Sequence, residues 1–266
     1  MKKYLILSVV IVGLSTFVLN MNKEIKKEEK ESNNGFVTLW FDDALLSTYE
    51  IAYPLLEEKG WKAVVAVVAD YEIAQEKFLP DGDPVMSWTQ LEELSNVGWE
   101  ISSHSMTHSH LNDITDEVIL KLEIASSKKR LEDMGFEVNS FSFPYGENGG
   151  SKGQEMVEKN YLYWRSSVEH MNPIPASRHI TCHFLTVDIE KEKIEEWITE
   201  AEETQKWLVI GLHAIVEQPS NPWQHTKEQF LVVLNEIEKS NLEVILPHEI
   251  YQRFDYAKNN EMEVFQ

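Results

Sequence analysis

The chain has 266 residues, 42% of them hydrophobic, which is enough for one large domain with its own core and excludes a disordered chain. A formal charge of −21 opposes binding to a nucleic-acid backbone or an anionic bilayer, so no nucleic acid is expected as a partner. Cys182 is the only cysteine, which excludes an internal disulfide.

The first residues, "MKKYLILSVVIVGLSTFVLN", join a basic start to an apolar run shorter than the roughly 20 residues of a comfortable spanning helix. Residues 1–20 are expected to be a signal peptide or an N-terminal membrane anchor. Either places the protein outside the cytoplasm, at the cell surface, in the periplasm or secreted. Membrane association is expected through this segment only. Residues 21–34 mix both charge signs without an apolar face and read as a tether. The folded domain is expected over 35–256, with a tail at 257–266.

From Phe36 onward, short apolar runs alternate with helix-like stretches. "FVTLWF" predicts a buried strand, and "STYEIAYPLLEEKG" a helix closed by Gly60. Pro54 would kink that helix unless it lies in the first turn. "WKAVVAVVAD" is β-branched and almost wholly apolar, the pattern of a parallel strand covered on both faces. "WTQLEELSNVG" predicts a helix ending at Gly98, and "WEISS" the next strand. "TDEVILKLEIASSKKRLEDMG" predicts a helix capped by Thr115 and stopped at Gly135. "EVNSFSF" and "YLYWRSS" are expected strands around the loop "PYGENGGSKG". "EKEKIEEWITEAEE" predicts a helix, "KWLVIGLH" a strand, "TKEQFLVVLNEIEKS" a helix capped by Thr226, and "LEVILP" a final strand. About seven strands alternating with helices predict a single α/β domain, built as a barrel or an open parallel sheet.

This alternation sets the polar residues in order. Asp42 and Asp43 follow the first strand, His104 and His108 the third, Pro144–Tyr145–Gly146 the fourth, and His213 ends a late one. The carboxyl ends of parallel strands share one rim, where sites are built. Two histidines four apart on one helical turn can chelate a cation. With a carboxylate beside them they make a nitrogen and oxygen set that leaves positions for water and substrate. Each residue also has a plainer reading. Asp43 could cap a helix starting near Ala44, the histidines could cap a loop rich in serine and threonine, and His213 could be an exposed strand end. His110, His225 and His248 are expected at the surface or behind the site.

The motifs "LWFDD", "SHSMTH", "FSFPYG" and "LVIGLH" occur in the order, and at roughly the intervals, of the polysaccharide deacetylases. Over about residues 36 to 250 the sequence resembles that family, the NodB-homology enzymes of carbohydrate esterase family four. The resemblance implies a distorted (β/α)7-type barrel as a single catalytic domain. It implies metal-dependent hydrolysis of N-acetyl groups from an N-acetylated surface or extracellular polysaccharide, with release of acetate. It further implies Asp43, His104 and His108 as metal ligands, Asp42 as catalytic base and His213 as a general acid that must be protonated. Tyr145 would offer its backbone N–H to the oxyanion, and Leu212 would line the acetyl pocket. Such a ligand set suits zinc, with cobalt or nickel as substitutes. Asp188 and Glu217 are the candidates for a carboxylate supporting His213.

Two positions depart from the family pattern. Ala44 replaces the usual glycine after the acid pair. Ser142 and Phe143 stand where the common form has an arginine that orients the base, and the resulting "FxxPYG" form resembles the branch acting on poly-N-acetylglucosamine. Arg165, at the end of the following strand, is expected to supply that guanidinium, or else to be an ordinary surface ion-pair partner. Trp223, in "PSNPWQHT", is the candidate for stacking on a sugar face. Two alternatives stand beside the deacetylase: an O-acetyl esterase on acetylated xylan or a similar polymer, and a non-catalytic carbohydrate-binding module.

Overall fold

Phe36–Phe41 forms strand β1, buried along its whole length because apolar neighbours cover both faces and other strands pair both edges. The computed structural model describes residues 35–79 and 82–254. The expected signal or anchor and tether (1–34) and the tail (257–266) lie outside the described residues. After β1 come β2 (Val64–Val67), β3 (Glu100–Ser103), β4 (Val138–Ser142), β5 (Tyr163–Arg165), β6 (His179–Ile180), β7 (His183–Phe184), β8 (Trp207–Leu212) and β9 (Glu243–Val244). The helices are α1 (Tyr53–Glu58), α2 (Tyr71–Phe78), α3 (Trp88–Asn96), α4 (Glu117–Lys121), α5 (Ser127–Asp133), α6 (Gly150–Asn160), α7 (Lys191–Thr204), α8 (Lys227–Lys239) and α9 (Pro247–Arg253).

The strand order is β6-β5-β4-β3-β2-β1-β8-β7, and the paired strands run parallel. β8 pairs β1 over its full length, while β9 takes the start of the other edge and β2 its end. β6 and β7 close the two ends of this order, yet only Thr181 and Cys182 separate them in sequence. That link spans at most about 10 Å. The sheet must therefore curl until its edges meet, which makes a distorted (β/α) barrel. Alternate residues of β1 divide between two cores. Val37, Leu39 and Phe41 pack outward with Leu56, Leu94, Trp197 and Phe230 of the helices. Phe36 and Trp40 join Val64, Tyr163, Trp207 and Val209 on the opposite face, inside the barrel.

Several local expectations change. A π-helical segment, Thr48–Ala52, runs into α1, and Pro54 lies in the first turn of α1, just past that irregular segment. The cap of α4 is Asp116, whose carboxylate accepts the Val118 N–H, and not Thr115. A second π-helical segment, Leu122–Ser126, divides that expected helix. Thr226 does cap α8, in a reciprocal box with Gln229. Helix α2 was not expected; its start is marked by Asp70, which accepts the Ile73 N–H. Strands β6 and β7 were not expected either, being too short to show a period, and "LEVILP" pairs over two residues only.

Candidate active site

β1 delivers two carboxylates to the carboxyl end of the barrel. Asp42 is still tied to β8, its N–H donating to the Leu212 carbonyl at 2.8 Å. Asp43 and Ala44 then adopt left-handed backbone, φ 68° and 53°, so Asp43 does not cap a helix. Aspartate tolerates this region better than most residues; Ala44, where the family has glycine, bears the strain with only a methyl group.

His104 and His108 lie in a loop after β3, not on a helical turn. Ser105 and His108 are left-handed (φ 65° and 55°), which folds the loop back so that the two rings lie 4.7 Å apart. The loop is tied at several points. The His104 N–H donates to Val67 (2.8 Å), the His108 N–H to Ser105 Oγ (2.9 Å), and Lys77 Nζ to the His108 carbonyl (3.0 Å). Glu123 accepts from the Thr107 N–H and hydroxyl. Asp43 Oδ1 ends up 3.5 Å from His104 Nε2 and 3.2 Å from His108 Nε2.

The chemistry of these three groups fits a divalent cation. His104 Nδ1 lies 2.9 Å from the Ser142 carbonyl, which can only accept, so Nδ1 carries the proton and Nε2 presents a lone pair. Asp43 Oδ1 is buried and accepts no hydrogen bond. Burial, with Asp42 beside it, pushes the Asp43 carboxyl well above the usual carboxylate range. Burial holds both imidazoles below theirs, so they are neutral. One donor atom from each residue lies within 4.8 Å of the others. Two imidazoles and a carboxylate oxygen converging at this spacing make a donor set that fits a divalent cation.

Beside them sits a second group. Arg165 is 1% exposed, and its Nη2 lies 2.7 and 2.6 Å from the two Asp42 oxygens. The surface reading of Arg165 is therefore excluded. Its guanidinium lies 5.4 Å from the Trp40 ring and 5.0 Å from the Phe184 ring. Ser142 and Arg165 are register partners on β4 and β5, so the guanidinium enters the site from one strand further round than in the common motif. Burial would raise the Asp42 carboxyl, but the charge and hydrogen bonds of Arg165 bring it below the usual range.

His213, just past β8, has Nε2 3.8 Å from Asp42 Oδ2. Neither Asp188 nor Glu217 supports it. Both are exposed, and Asp188 accepts instead from the Thr186 hydroxyl. The buried His213 Nδ1 has no hydrogen-bond partner, and burial pushes the imidazole down to about 4.

Asp42, Asp43, His104, His108, Tyr145 and His213 all line one cleft of about 440 Å³. Tyr145, at φ 57°, lays its ring against His110 at 3.9 Å, so His110 stands at the rim. Trp223, half exposed, lies 5.4 Å from the His213 ring and also faces the cleft. Leu212 is not among the lining residues; it is fully buried in the outer core, and Phe143 and Phe184 supply apolar wall instead. Sequence reasoning missed Phe184, Lys77 and Asp83, which also line the cleft. The first two sit on elements it did not expect, and Asp83 lies in a loop without a recognisable pattern.

A polysaccharide deacetylase family model matches residues 29–164, just over half of the chain. "Putative polysaccharide deacetylase YxkH" of Bacillus subtilis (strain 168) is 28% identical over 120 residues, 45% of this chain. The chain spans 40% of the length of that relative. Among solved structures, the Bc1960 peptidoglycan N-acetylglucosamine deacetylase gives a TM-score of 0.53 at 17% identity, covering 82% of this chain and 88% of that one. The Xyl-CE4 domain of a multidomain xylanase from the hindgut metagenome of Trinervitermes trinervoides also gives 0.53, at 14% identity, with 82% and 90% covered. A family 4 carbohydrate esterase from Streptomyces lividans gives 0.50 at 15% identity, with 80% and 93% covered. At such identities these structures show a shared barrel. With the family match over the strands that carry the acid pair and both histidines, the chain belongs to the polysaccharide deacetylase family.

Proposed function

We propose that this chain is a metal-dependent hydrolase that removes N-acetyl groups from an N-acetylated surface or extracellular polysaccharide and releases acetate. In this reading 35–256 is the catalytic domain, and residues 1–20 take it out of the cytoplasm as a signal peptide or anchor. One observation carries the proposal. Asp42 is gripped by a buried arginine and faced by a histidine, immediately beside the Asp43–His104–His108 set and in the same cleft.

Asp43, His104 and His108 would hold the ion, and zinc suits two imidazoles and a carboxylate. When bound it supplies a Lewis acid for the amide carbonyl and for water. Asp42, kept ionised by Arg165, takes the proton of the attacking water. The Tyr145 backbone N–H donates to the carbonyl oxygen as negative charge builds there. A His213 neutral in the free protein can accept the proton that Asp42 has gathered and deliver it to the departing nitrogen. The balance closes: hydroxide adds to the carbonyl carbon, the C–N bond breaks, and the amine leaves with the water's proton. Trp223 would stack on a sugar ring, a role supported by its half-exposed indole at the cleft.

Acetate release, measured side by side on poly-N-acetylglucosamine, chitin oligomers, peptidoglycan and acetylated xylan, should be greatest on an N-acetylated polymer. Release from xylan alone would transfer the site to O-acetyl ester hydrolysis. Glycan binding without release, in zinc-supplemented protein, would make the domain a binding module.

Arg165→Met should lower the rate less than loss of the base itself, because it removes an orienting charge and leaves the proton acceptor. Without the guanidinium the Asp42 pKa rises, and since Asp42 works only when ionised, the acid limb of the pH–rate profile should move to higher pH. An unchanged rate and unchanged profile would reduce Arg165 to a packing role.

A further inference from the structure

The segment Asp83–Met86 crosses the turn that carries the acid pair. Leu45 and Val85 form an antiparallel bridge; the Leu46 N–H donates to Pro84 at 2.7 Å and the Met86 N–H to Ala44 at 2.8 Å. At its start stands Asp83, a carboxylate 7% exposed that makes no ion pair among the described residues. Its Oδ1 accepts the Ser47 N–H at 3.2 Å, and its Oδ2 accepts the Ser47 hydroxyl proton. The Ser47 hydroxyl oxygen in turn accepts the Ile215 N–H at 3.0 Å. Ser47 lies four residues past Asp43, and Ile215 two past His213. Burying a carboxylate on neutral donors alone is costly, so this one is expected to hold something in place.

We propose that Asp83 is a positioning residue, clamping the Asp42–Asp43 turn to the His213 strand end through Ser47. This rests on the deacetylase reading above. A hydroxyl has one proton. By giving it to Asp83, Ser47 aims a lone pair at the Ile215 N–H, and the two loops are set by one side chain. The quantity so held is the separation between Asp42 Oδ2 and His213 Nε2, 3.8 Å, across which the proton passes. An Asp83→Asn change weakens the clamp: when the amide oxygen accepts the Ser47 N–H, its NH2 faces the Ser47 hydroxyl, whose own proton then loses its acceptor. The backbone bridge at Leu45–Val85 survives the change, as do the metal ligands.

The test uses the full zinc-supplemented chain with Asp83→Asn, Ser47→Ala and the double variant. In each single variant the Ile215 amide should exchange at least ~10-fold faster than in the parent, with no further gain in the double variant. On an N-acetylated oligomer kcat should fall about 10–100-fold, with KM within about twofold, and the losses should not multiply. Unchanged Ile215 protection in Asp83→Asn would overturn the proposal. So would multiplying losses, or a loss carried wholly by KM, which would make Asp83 a substrate contact. If Asp83→Asn does not fold, Ser47→Ala carries the same test, since it cuts the same link. A parent protein that releases no acetate from any polymer would overturn the deacetylase reading, while the exchange result would still decide whether the clamp exists.

Discussion

Asp42→Asn should lower kcat by about 10²–10⁴-fold while leaving the metal content of the protein nearly intact. The amide is close in shape, so the buried pocket keeps its volume and Arg165 keeps an oxygen to bond. What disappears is the proton acceptor. Asp42 is the carboxylate whose environment holds it ionised, by the Arg165 guanidinium at 2.6 Å against the opposing effect of burial. Asp43, next to it, lies outside that grip and faces the two imidazoles instead. Elemental analysis together with steady-state rates checks the result. An Asp42→Asn protein that loses its metal would exchange the roles of the two acids.

Asp43→Asn, and separately His104→Ala, should lose metal and activity together. The metal affinity should fall by more than the roughly 10–100-fold that removing a hydrogen-bond partner behind a ligand costs. His104 is the better probe of the pair of imidazoles, because its Nδ1 bond to the Ser142 carbonyl already orients Nε2 toward Asp43. In the parent protein a strong chelator should abolish acetate release and added zinc should restore it. Full activity in verified metal-free protein would refute the assignment.

Much of the barrel could be anticipated because its signals are local. Phe36–Phe41 and Trp207–Leu212 are continuous apolar runs, and Thr226 with Gln229 is a cap readable over four residues. The same locality explains the errors. Strands β6 and β7 have two residues each, so they carry no period, although their short link is what forces the sheet to close. Helix α2, with Lys77, and strand β7, with Phe184, brought wall residues to the cleft unannounced.

From the sequence alone came the longer strands and several of the helices between them, the parallel α/β class, the acid pair, the spaced histidines and the late strand-end histidine, since each is a pattern within a few neighbouring residues. Tertiary structure decided which of them meet. It turned His104 and His108 together on a loop through left-handed residues, buried Leu212 away from the cleft, and left His213 with Asp42 as its carboxylate neighbour in place of Asp188 or Glu217. It also turned Arg165, 123 positions from Asp42, into that carboxylate's partner through the β4–β5 register. Register and loop geometry depend on contacts between residues far apart in the chain, and such contacts leave no trace in the local pattern of side chains.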